Sequence, residues 1–561
     1  MDCDLVVRGG TVVDGTGAPG ERGDVAVKDG LIVAVGEVSA RAERTIDATG
    51  RVVAPGFVDI HTHYDAQILW DRMLTISPWH GVTTVVIGNC GFGIAPTRPE
   101  HRGLVLRTLE KVEGMSLASL EAGCGTEWPF ETFPQYLDAI ERGGMAINVA
   151  ALVGHTPVRL YVMGEEATER PATADEAARM RAIVRDAVAA GALGFATSKS
   201  PTHVGYAGKP VPSRAAGFDE IRTIAGALGE LGRGVIQATA GPELFFEQFT
   251  QLAQETGRTL TWTALLAGLL GPGSHRMFLA QSDAIQKRGI PVVPQVACRP
   301  LNFEFDLREP FVFESMPAFR DIAGEDRDGR LRAYRDPGFR RRVKEHLEQG
   351  TSGVFAFSWE RVVVSWYPPE PALHERRMDE VARARGVDPT DLLFDLALAS
   401  DLAARFRMSL VNFDEDEVAE LLVHPGTMLG LSDAGAHASQ LCDACFATHL
   451  LGHWVREKKT LTLEEAVRML TSRVADVMGI TDRGRIEPGL AADLTVLDPD
   501  TVGCSALRRV HDLPGGADRL VADAFGIDAV VVNGTVVREG GRDAVKPAGA
   551  LPGRLLRGGR A

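Results

Sequence analysis

A chain of 561 residues exceeds what one minimal core requires, so one large domain with a smaller companion is expected. Its formal charge of -15 leaves no basic surplus to neutralise phosphates, which argues against a nucleic-acid partner. Hydrophobic residues at 45% and charged residues at 24% suit a water-soluble globular protein, and no apolar run reaches the roughly 18 residues a membrane span needs. The first residues, MDCDLVVRGGTVVDG, lack a charged segment leading into an apolar one. Seven cysteines, Cys3, Cys90, Cys124, Cys298, Cys442, Cys445 and Cys504, are few and odd in number, unlike a disulfide framework. A cytoplasmic location is expected.

Residues 1–54 form short Val- and Ile-rich strands separated by Gly and Asp turns, as in DLVVRGGTVVDG and DVAVKDGLIVAVG. The same rhythm returns over 481–540, where FGIDAVVVNGTVVREG echoes the start. Isolated hairpins need a partner face, so the two stretches are expected to build one small β-sandwich from both terminal regions. Residues 541–561, rich in Gly, Pro and Arg, read as a loose tail or as a strap for a neighbouring chain.

Between 55 and 480 short apolar strands alternate with Ala-, Arg- and Glu-rich helical stretches. Strands are predicted at 57–61, 83–87, 146–153, 193–197, 235–238, 259–264, 292–297 and 427–431. Helices are predicted at 174–190, 218–231 and 245–256. Eight such units give the count of an α/β (β/α)8 TIM barrel, whose active site gathers at the C-terminal strand ends; a doubly wound sheet has a similar pattern. The alternation breaks at about 298–420, an aromatic and Pro-rich segment too long for an ordinary loop. It is expected to be a lid or subdomain over the barrel mouth, or to pack on a flank or a second subunit. Its Phe303, Phe305, Phe311, Phe313, Trp359, Trp366 and Tyr367 suggest a bulky or aromatic substrate. Thr462 precedes a Glu-rich turn and is predicted to cap the next helix.

The chemistry centres on VVAPGFVDIHTHYD, residues 52–65. If a strand runs through Val58–His63, His61 and His63 share a face and converge at its C-terminal end, an arrangement suited to zinc or a similar metal. Cys90, in the Gly-rich turn GNCGFGIAP, could supply a thiolate or simply be a turn cysteine. Asp433, closing LGLSDAGAH, could add an oxygen ligand and take a proton from an activated water. His437 and Ser439 could orient it. Cys442 and Cys445, followed by His449 and His453, have a spacing compatible with a structural zinc, though buried thiols on a helix fit as well.

The ordered series HTHYD, GNCGFGIAP, EWPFETFPQYLDAI, NVAALVGHTPVR, GALGFATS, LSDAGAH and GRIEPGLAADLTVLD resembles the amidohydrolase superfamily, in particular the D-aminoacylase (N-acyl-D-amino-acid deacylase) branch, over nearly the whole chain. The resemblance implies a TIM barrel with a split β-sandwich, a metal cofactor (Zn2+, about one per chain, or another divalent ion), a small-molecule substrate, hydrolysis of an amide C–N bond and a homo-oligomer. By it His61, His63 and Asp433 match one metal position, Cys90 a bridging thiolate, and His155 a residue near the substrate's polar group, expected here to help steady the developing oxyanion. The histidines of that branch on the fifth and sixth strands are replaced: GVIQATAGPE offers Gln237, and LTWTALLAG offers Trp262 and Thr263. The lysine that follows those histidines is missing too. Lys199, ending the fourth strand, reads as a carboxylated metal ligand, as a cation replacing the lost metal's charge, or as a plain loop lysine. His203, Tyr206, Gln237, Thr263 and Arg299 are candidate substrate contacts, and Glu304 beside Arg299 is a candidate for substrate or for ion pairing. A remodelled centre that cleaves C–C or C–O bonds or decarboxylates, and a non-catalytic scaffold, are the alternatives to amide hydrolysis.

Overall fold

The computed structural model describes residues 2–308, 310, 312–352, 357–436 and 443–561. It divides into two compact units, one built from the chain up to Cys298 with the chain after Asp416, the other from Arg299–Glu415.

In the first unit all eight predicted strands form, at Phe57–Asp59, Val82–Ile87, Asn148–Gly154, Gly194–Ser198, Val235–Thr239, Leu260–Thr263, Val292–Val296 and Met428–Leu429. They lie side by side in chain order and all parallel, the TIM-barrel sequence of strands and not a doubly wound one. First and last strands meet just beyond their ends, where Thr62 bridges Ala434 in parallel. Alternation divides the side chains between two cores. Val58, Val86, Ala150, Leu152, Ala196, Val235, Val293 and Met428 fill the interior. Val85, Ile87, Val153, Phe195, Ile236, Leu260, Trp262 and Val296 face the helical layer. The predicted helices are present at Ala174–Ala189, Phe218–Leu231 and Phe246–Thr256; Thr173 and Glu176 close a capping box on the first, and Thr462 caps Leu463–Leu470.

The terminal regions do pair, but as one mixed nine-stranded sheet and not as two sheets of a sandwich. Val52–Pro55 runs antiparallel to Leu494–Leu497 and joins the two halves. Asp2–Val12 pairs with Glu21–Lys28, with Arg41–Asp47 and, at Thr11 and Val12, with Val52–Pro55. That branching bends the sheet over a core containing Leu5, Val27, Ile46, Val53, Val496 and Val531, with a smaller cluster of Cys3, Val6, Ala26 and Ala40 beside it. Asp493 ties this sheet to the barrel: its carboxylate accepts from Asn148 Nδ2 at 2.9 Å, Arg483 Nη1 at 2.5 Å and Asn533 N at 2.7 Å. Asn533 Nδ2 in turn donates to Asn148 Oδ1 at 2.8 Å.

The tail packs along its own chain. Gly553 bridges Met145, Leu556 N donates to Val149 O at 2.8 Å, and Arg557 pairs with Asp138 and Glu141. Leu556 enters the interior core beside Met478 and Ile480, plugging the end of the barrel away from the C-terminal loops.

The second unit carries a four-stranded antiparallel sheet, Leu301–Asp306, Arg405–Val411, Val362–Trp366 and Arg376–Arg377, and a core of its own. Its aromatic residues belong largely to that core: Phe305, Phe313 and Tyr367 are buried in it, Phe303 and Trp359 pack against it, and Trp366 stacks on His374. Phe311 lies outside the described residues. Core building therefore accounts for the composition that had suggested a bulky substrate. Among the described residues no helix is long and apolar enough to cross a membrane.

The plug generates a stability prediction. Leu556→Ala should cost about 2–5 kcal/mol through lost burial and a residual cavity, read as a lowered midpoint of chemical unfolding.

Candidate metal centre

The first barrel strand stops at Asp59, so His61 and His63 stand on the loop beyond it and not on the strand. They converge because the last strand's loop clamps theirs. Asp433 N donates to His61 O at 3.1 Å, and His63 N donates to Ala434 O at 2.7 Å. Ser432 Oγ donates to Asp59 Oδ2 at 2.6 Å; burial pushes the Asp59 carboxyl up to about 7 despite that bond. Asp433 takes a left-handed backbone, φ 45°, which Asp tolerates better than most residues.

Cys90 arrives from the second strand through a turn that only glycine permits at its first position. Gly88 has φ 85°, and a Cβ there would stand 2.1 Å from Leu152 O. Gln237 Oε1 accepts from Cys90 N at 2.7 Å and holds the turn over the barrel interior.

Two nitrogens, one sulfur and one oxygen then come close together. His61 Nε2 lies 3.3 Å from Cys90 Sγ and 3.3 Å from Asp433 Oδ1, and His63 Nε2 lies 3.6 Å from the same oxygen. His61, His63 and Cys90 are all buried, with ligand atoms within 4.8 Å of one another. A tetrahedral zinc with bonds of about 2.0–2.3 Å requires donor separations of about 3.3–3.6 Å, which the three separations of 3.3, 3.3 and 3.6 Å match. Asp433, with its side chain 17% exposed against 0% for His61 and 4% for His63, is the donor closest to solvent.

Of these groups Cys90 is the one shifted towards the form a metal binds, while each imidazole would give up a proton to bind one. Burial alone would push the Cys90 thiol up, but His61 and His63 beside it bring it down to about 7. Burial opposes charge on both imidazoles, yet Cys90 and Asp433 at His61, and Glu113 and Asp433 at His63, raise them above the ordinary histidine value. Behind the donors, His61 Nδ1 meets Gln295 Oε1 at 2.7 Å, and His63 Nδ1 meets Glu113 Oε1 at 3.1 Å. Neither Gln295 nor Glu113 is singled out by the sequence. Gln295 is detectable as a polar residue at an inward position of an apolar strand; Glu113, ending a helix far from any motif, carries no such signal.

Other expected site residues take different places. Gln237 and Thr263 do line the interior, where Gln237 Nε2 lies 3.4 Å from Thr263 Oγ1, and Thr263 Oγ1 3.2 Å from Thr239 Oγ1. Amides and hydroxyls thus stand where the resemblance leads one to expect imidazoles. Trp262 points outward, stacked on Phe249. His203 hydrogen-bonds Ser198 Oγ at 2.7 Å and packs on Phe92, which neighbours His63. Tyr206 is 44% exposed beneath the Arg107 guanidinium.

Lys199 is neither a metal ligand nor a cation at the centre: its ammonium donates to Arg214 O at 2.9 Å and Ala216 O at 2.6 Å. His155 is also reassigned. Its Nδ1 meets Thr197 Oγ1 at 2.8 Å and its Nε2 meets Glu220 Oε1 at 2.9 Å, so neither nitrogen is left to steady an oxyanion. Arg159 Nη1 closes on both oxygens of the same carboxylate. Arg299 belongs to the second unit, where its carbonyl accepts from Asn412 Nδ2 at 2.8 Å. Glu304, in that unit too, pairs with Ser365 and Arg405. His437, Ser439 and Cys442 lie outside the described residues. Cys445 is buried, while His449 and His453 stack at 4.9 Å.

Comparison with known proteins agrees with this geometry. The model of the amidohydrolase family (Amidohydro_3) matches residues 44–538. The chain belongs to that family. D-aminoacylase of Alcaligenes xylosoxydans xylosoxydans is 31% identical over 541 residues, covering 95% of this chain and 94% of the relative. N-acyl-D-glutamate deacylase of the same organism is 31% identical over 560 residues, covering 99% and 96%. Among solved structures, N-acyl-D-glutamate deacylase from Bordetella bronchiseptica, complexed with zinc and a phosphonate inhibitor, superposes with a TM-score of 0.67 at 28% identity, covering 99% of this chain and 100% of that one. The amidohydrolase described here falls in the D-aminoacylase branch and is a metal-dependent hydrolase of C–N bonds with a His–His–Cys centre.

The reassigned cluster yields a pH prediction. Glu220 is held at about 2 because His155 and Arg159 outweigh the effect of its burial, whereas an unfolded glutamate titrates near about 4.3. A depressed carboxyl contributes stability above the unfolded value and loses it as pH falls towards the folded one. Glu220→Gln should therefore cost about 3–5 kcal/mol near neutrality, chiefly by stranding Arg159. That gap should shrink between about pH 4 and pH 2, measured by chemical unfolding across pH.

Proposed function

We propose that this amidohydrolase deacylates a small N-acyl compound at a one-metal centre, zinc being the ion, with N-acyl-D-amino acids the first substrates to try. The observation that carries the reading is the buried cluster of His61, His63 and Cys90, with Asp433 Oδ1 3.3 and 3.6 Å from the two imidazoles, on one side of a barrel interior that is otherwise amide and hydroxyl. Support for the substrate class comes from relatives described as D-aminoacylase and as N-acyl-D-glutamate deacylase. The few and odd-numbered cysteines favour the cytoplasm, and a homo-oligomer is part of the family-based reading.

A zinc bound here supplies an activated water and polarises the acyl carbonyl. The chain's own groups do the rest. His61 and His63 would hold the ion; Gln295 hydrogen-bonds His61 Nδ1 at 2.7 Å, and Glu113 Oε1 lies 3.1 Å from His63 Nδ1. Cys90 contributes a thiolate that its surroundings already favour. Asp433, the donor nearest solvent, accepts the proton given up by the attacking water and returns it to the amide nitrogen as the C–N bond breaks. Gln237, Thr239 and Thr263 offer no negative charge to hold a second cation, and their hydrogen-bonding groups are suited to an uncharged part of the substrate.

Metal analysis of the purified protein should give about one zinc per chain, lost together with activity in His61→Ala; a wild-type chain that binds no metal would sink the proposal. Asp433→Asn should lower kcat by at least about 100-fold while most of the metal stays bound. A panel of N-acyl-D- and N-acyl-L-amino acids and uncharged amides, read as kcat/KM, then tests the substrate class.

A further inference from the structure

We infer that Asn89 and Gln237 are positioning residues for the metal centre, two amides that set where Cys90 Sγ stands against His61 and His63. Cys90 is not held by its own backbone preference. It takes a left-handed conformation, φ 56° and ψ 14°, between Asn89 and Gly91. Residues other than glycine rarely adopt that region, and one that does so persists only where its surroundings over-determine it. Asp65 Oδ2 accepts from Gly88 N at 3.1 Å, which anchors the entry to the turn but leaves Cys90 itself to be fixed.

Two wholly buried amides fix it, each from a different strand's surroundings. Gln237, on the fifth barrel strand, takes the Cys90 N–H directly at 2.7 Å. Asn89 works through the first strand's loop: its Nδ2 donates to Val86 O at 2.9 Å and to Thr62 O at 3.3 Å. Thr62 stands between the two histidines and reaches the same carbonyl, its N donating to Val86 O at 3.1 Å and its Oγ1 at 2.8 Å. Val86 O is thus a node where the loop carrying His61 and His63 meets the turn carrying Cys90. Two carbonyl oxygens face one end of the Asn89 amide, so that end is the NH2. The other end, Oδ1, has no hydrogen-bond partner among the described residues. A buried acceptor without a donor is destabilising, and a leucine of similar size would carry no such penalty. What Asn89 contributes is the tie through Nδ2, one residue before the sulfur. Neither amide titrates, so the tie holds whatever protons the ligands carry.

This inference rests on the proposed metal reading, and the experiment separates the two. Metal-stripped wild type, Asn89→Leu, Gln237→Leu and Cys90→Ser, and each amide variant combined with Cys90→Ser, are titrated with zinc against chromophoric chelators of graded strength. With Cys90 in place, each amide variant should weaken zinc binding about 10–100-fold. In the Cys90→Ser background the same change should cost no more than about 2-fold, because the amides act through the sulfur. A residue that merely stabilised the fold would cost the same in both. In cobalt-loaded Asn89→Leu and Gln237→Leu the near-ultraviolet sulfur-to-cobalt charge-transfer band should weaken or shift, which reports on the Cys90 bond directly. Wild-type zinc affinity in both amide variants, or equal losses in the two backgrounds, overturns the inference alone; no zinc on wild type overturns the metal reading with it. Should Asn89→Leu fail to fold, Asn89→Ala decides by the same measurements.

Discussion

Two backbone hydrogen bonds, Asp433 N to His61 O and His63 N to Ala434 O, hold the centre together. They are the seam at which the first and last strands of the barrel meet, across segments 371 residues apart in the chain by the Ser432–His61 bond. Closing the sheet and assembling the donor set are therefore one event. The hydrophobic term drives closure, because the inward residues of the strands are buried from water only when the layer is complete. The polar residues at the seam, Asp59 and Ser432 above all, convert that closure into a fixed register, and the register puts Asp433 within reach of both imidazoles.

The centre is electrostatically lopsided. Its anionic side holds Cys90, Asp433 and Glu113; its far side, across the barrel, holds Gln237, Thr239, Thr261, Thr263 and Gln295 linked to one another or to the ligands. Such a network satisfies its own donors and acceptors, which is what makes it tolerable in a buried interior. It joins amides and hydroxyls to one another where the resemblance leads one to expect imidazoles. Gln237 illustrates the economy, since one amide both supports the Cys90 turn and connects to the sixth strand.

What the sequence disclosed, and what it hid, follows from the range of the interactions involved. Strand and helix periodicity is local, and all eight barrel strands were legible, as were the helices at Ala174–Ala189 and Phe218–Leu231. His61, His63, Cys90 and Asp433 stand out because each closes an apolar run, and the structure brings them together. Lys199 and His155 close apolar runs as well, yet Lys199 follows the inward Ser198 and turns outward, and His155 opens a helix whose polar partners come from elsewhere. Partner choice of that kind depends on residues tens of positions away, such as Glu220, and leaves no local trace. The same limit explains why the terminal strands read as a sandwich. Each strand was visible, but the branching at Asp2–Val12 that merges them into one bent sheet is a long-range property.

The Asp493 knot described above carries one more consequence. Asn148 belongs to a barrel strand, Arg483 to the connection leaving the barrel, and Asn533 to a turn of the terminal sheet, yet all three satisfy a single buried carboxylate. Removing either body would strand an ionised group in the other. The two are thus architecturally distinct but not modular: neither is a unit that recombination could exchange intact, and a change in one would have to be matched by a change in the other.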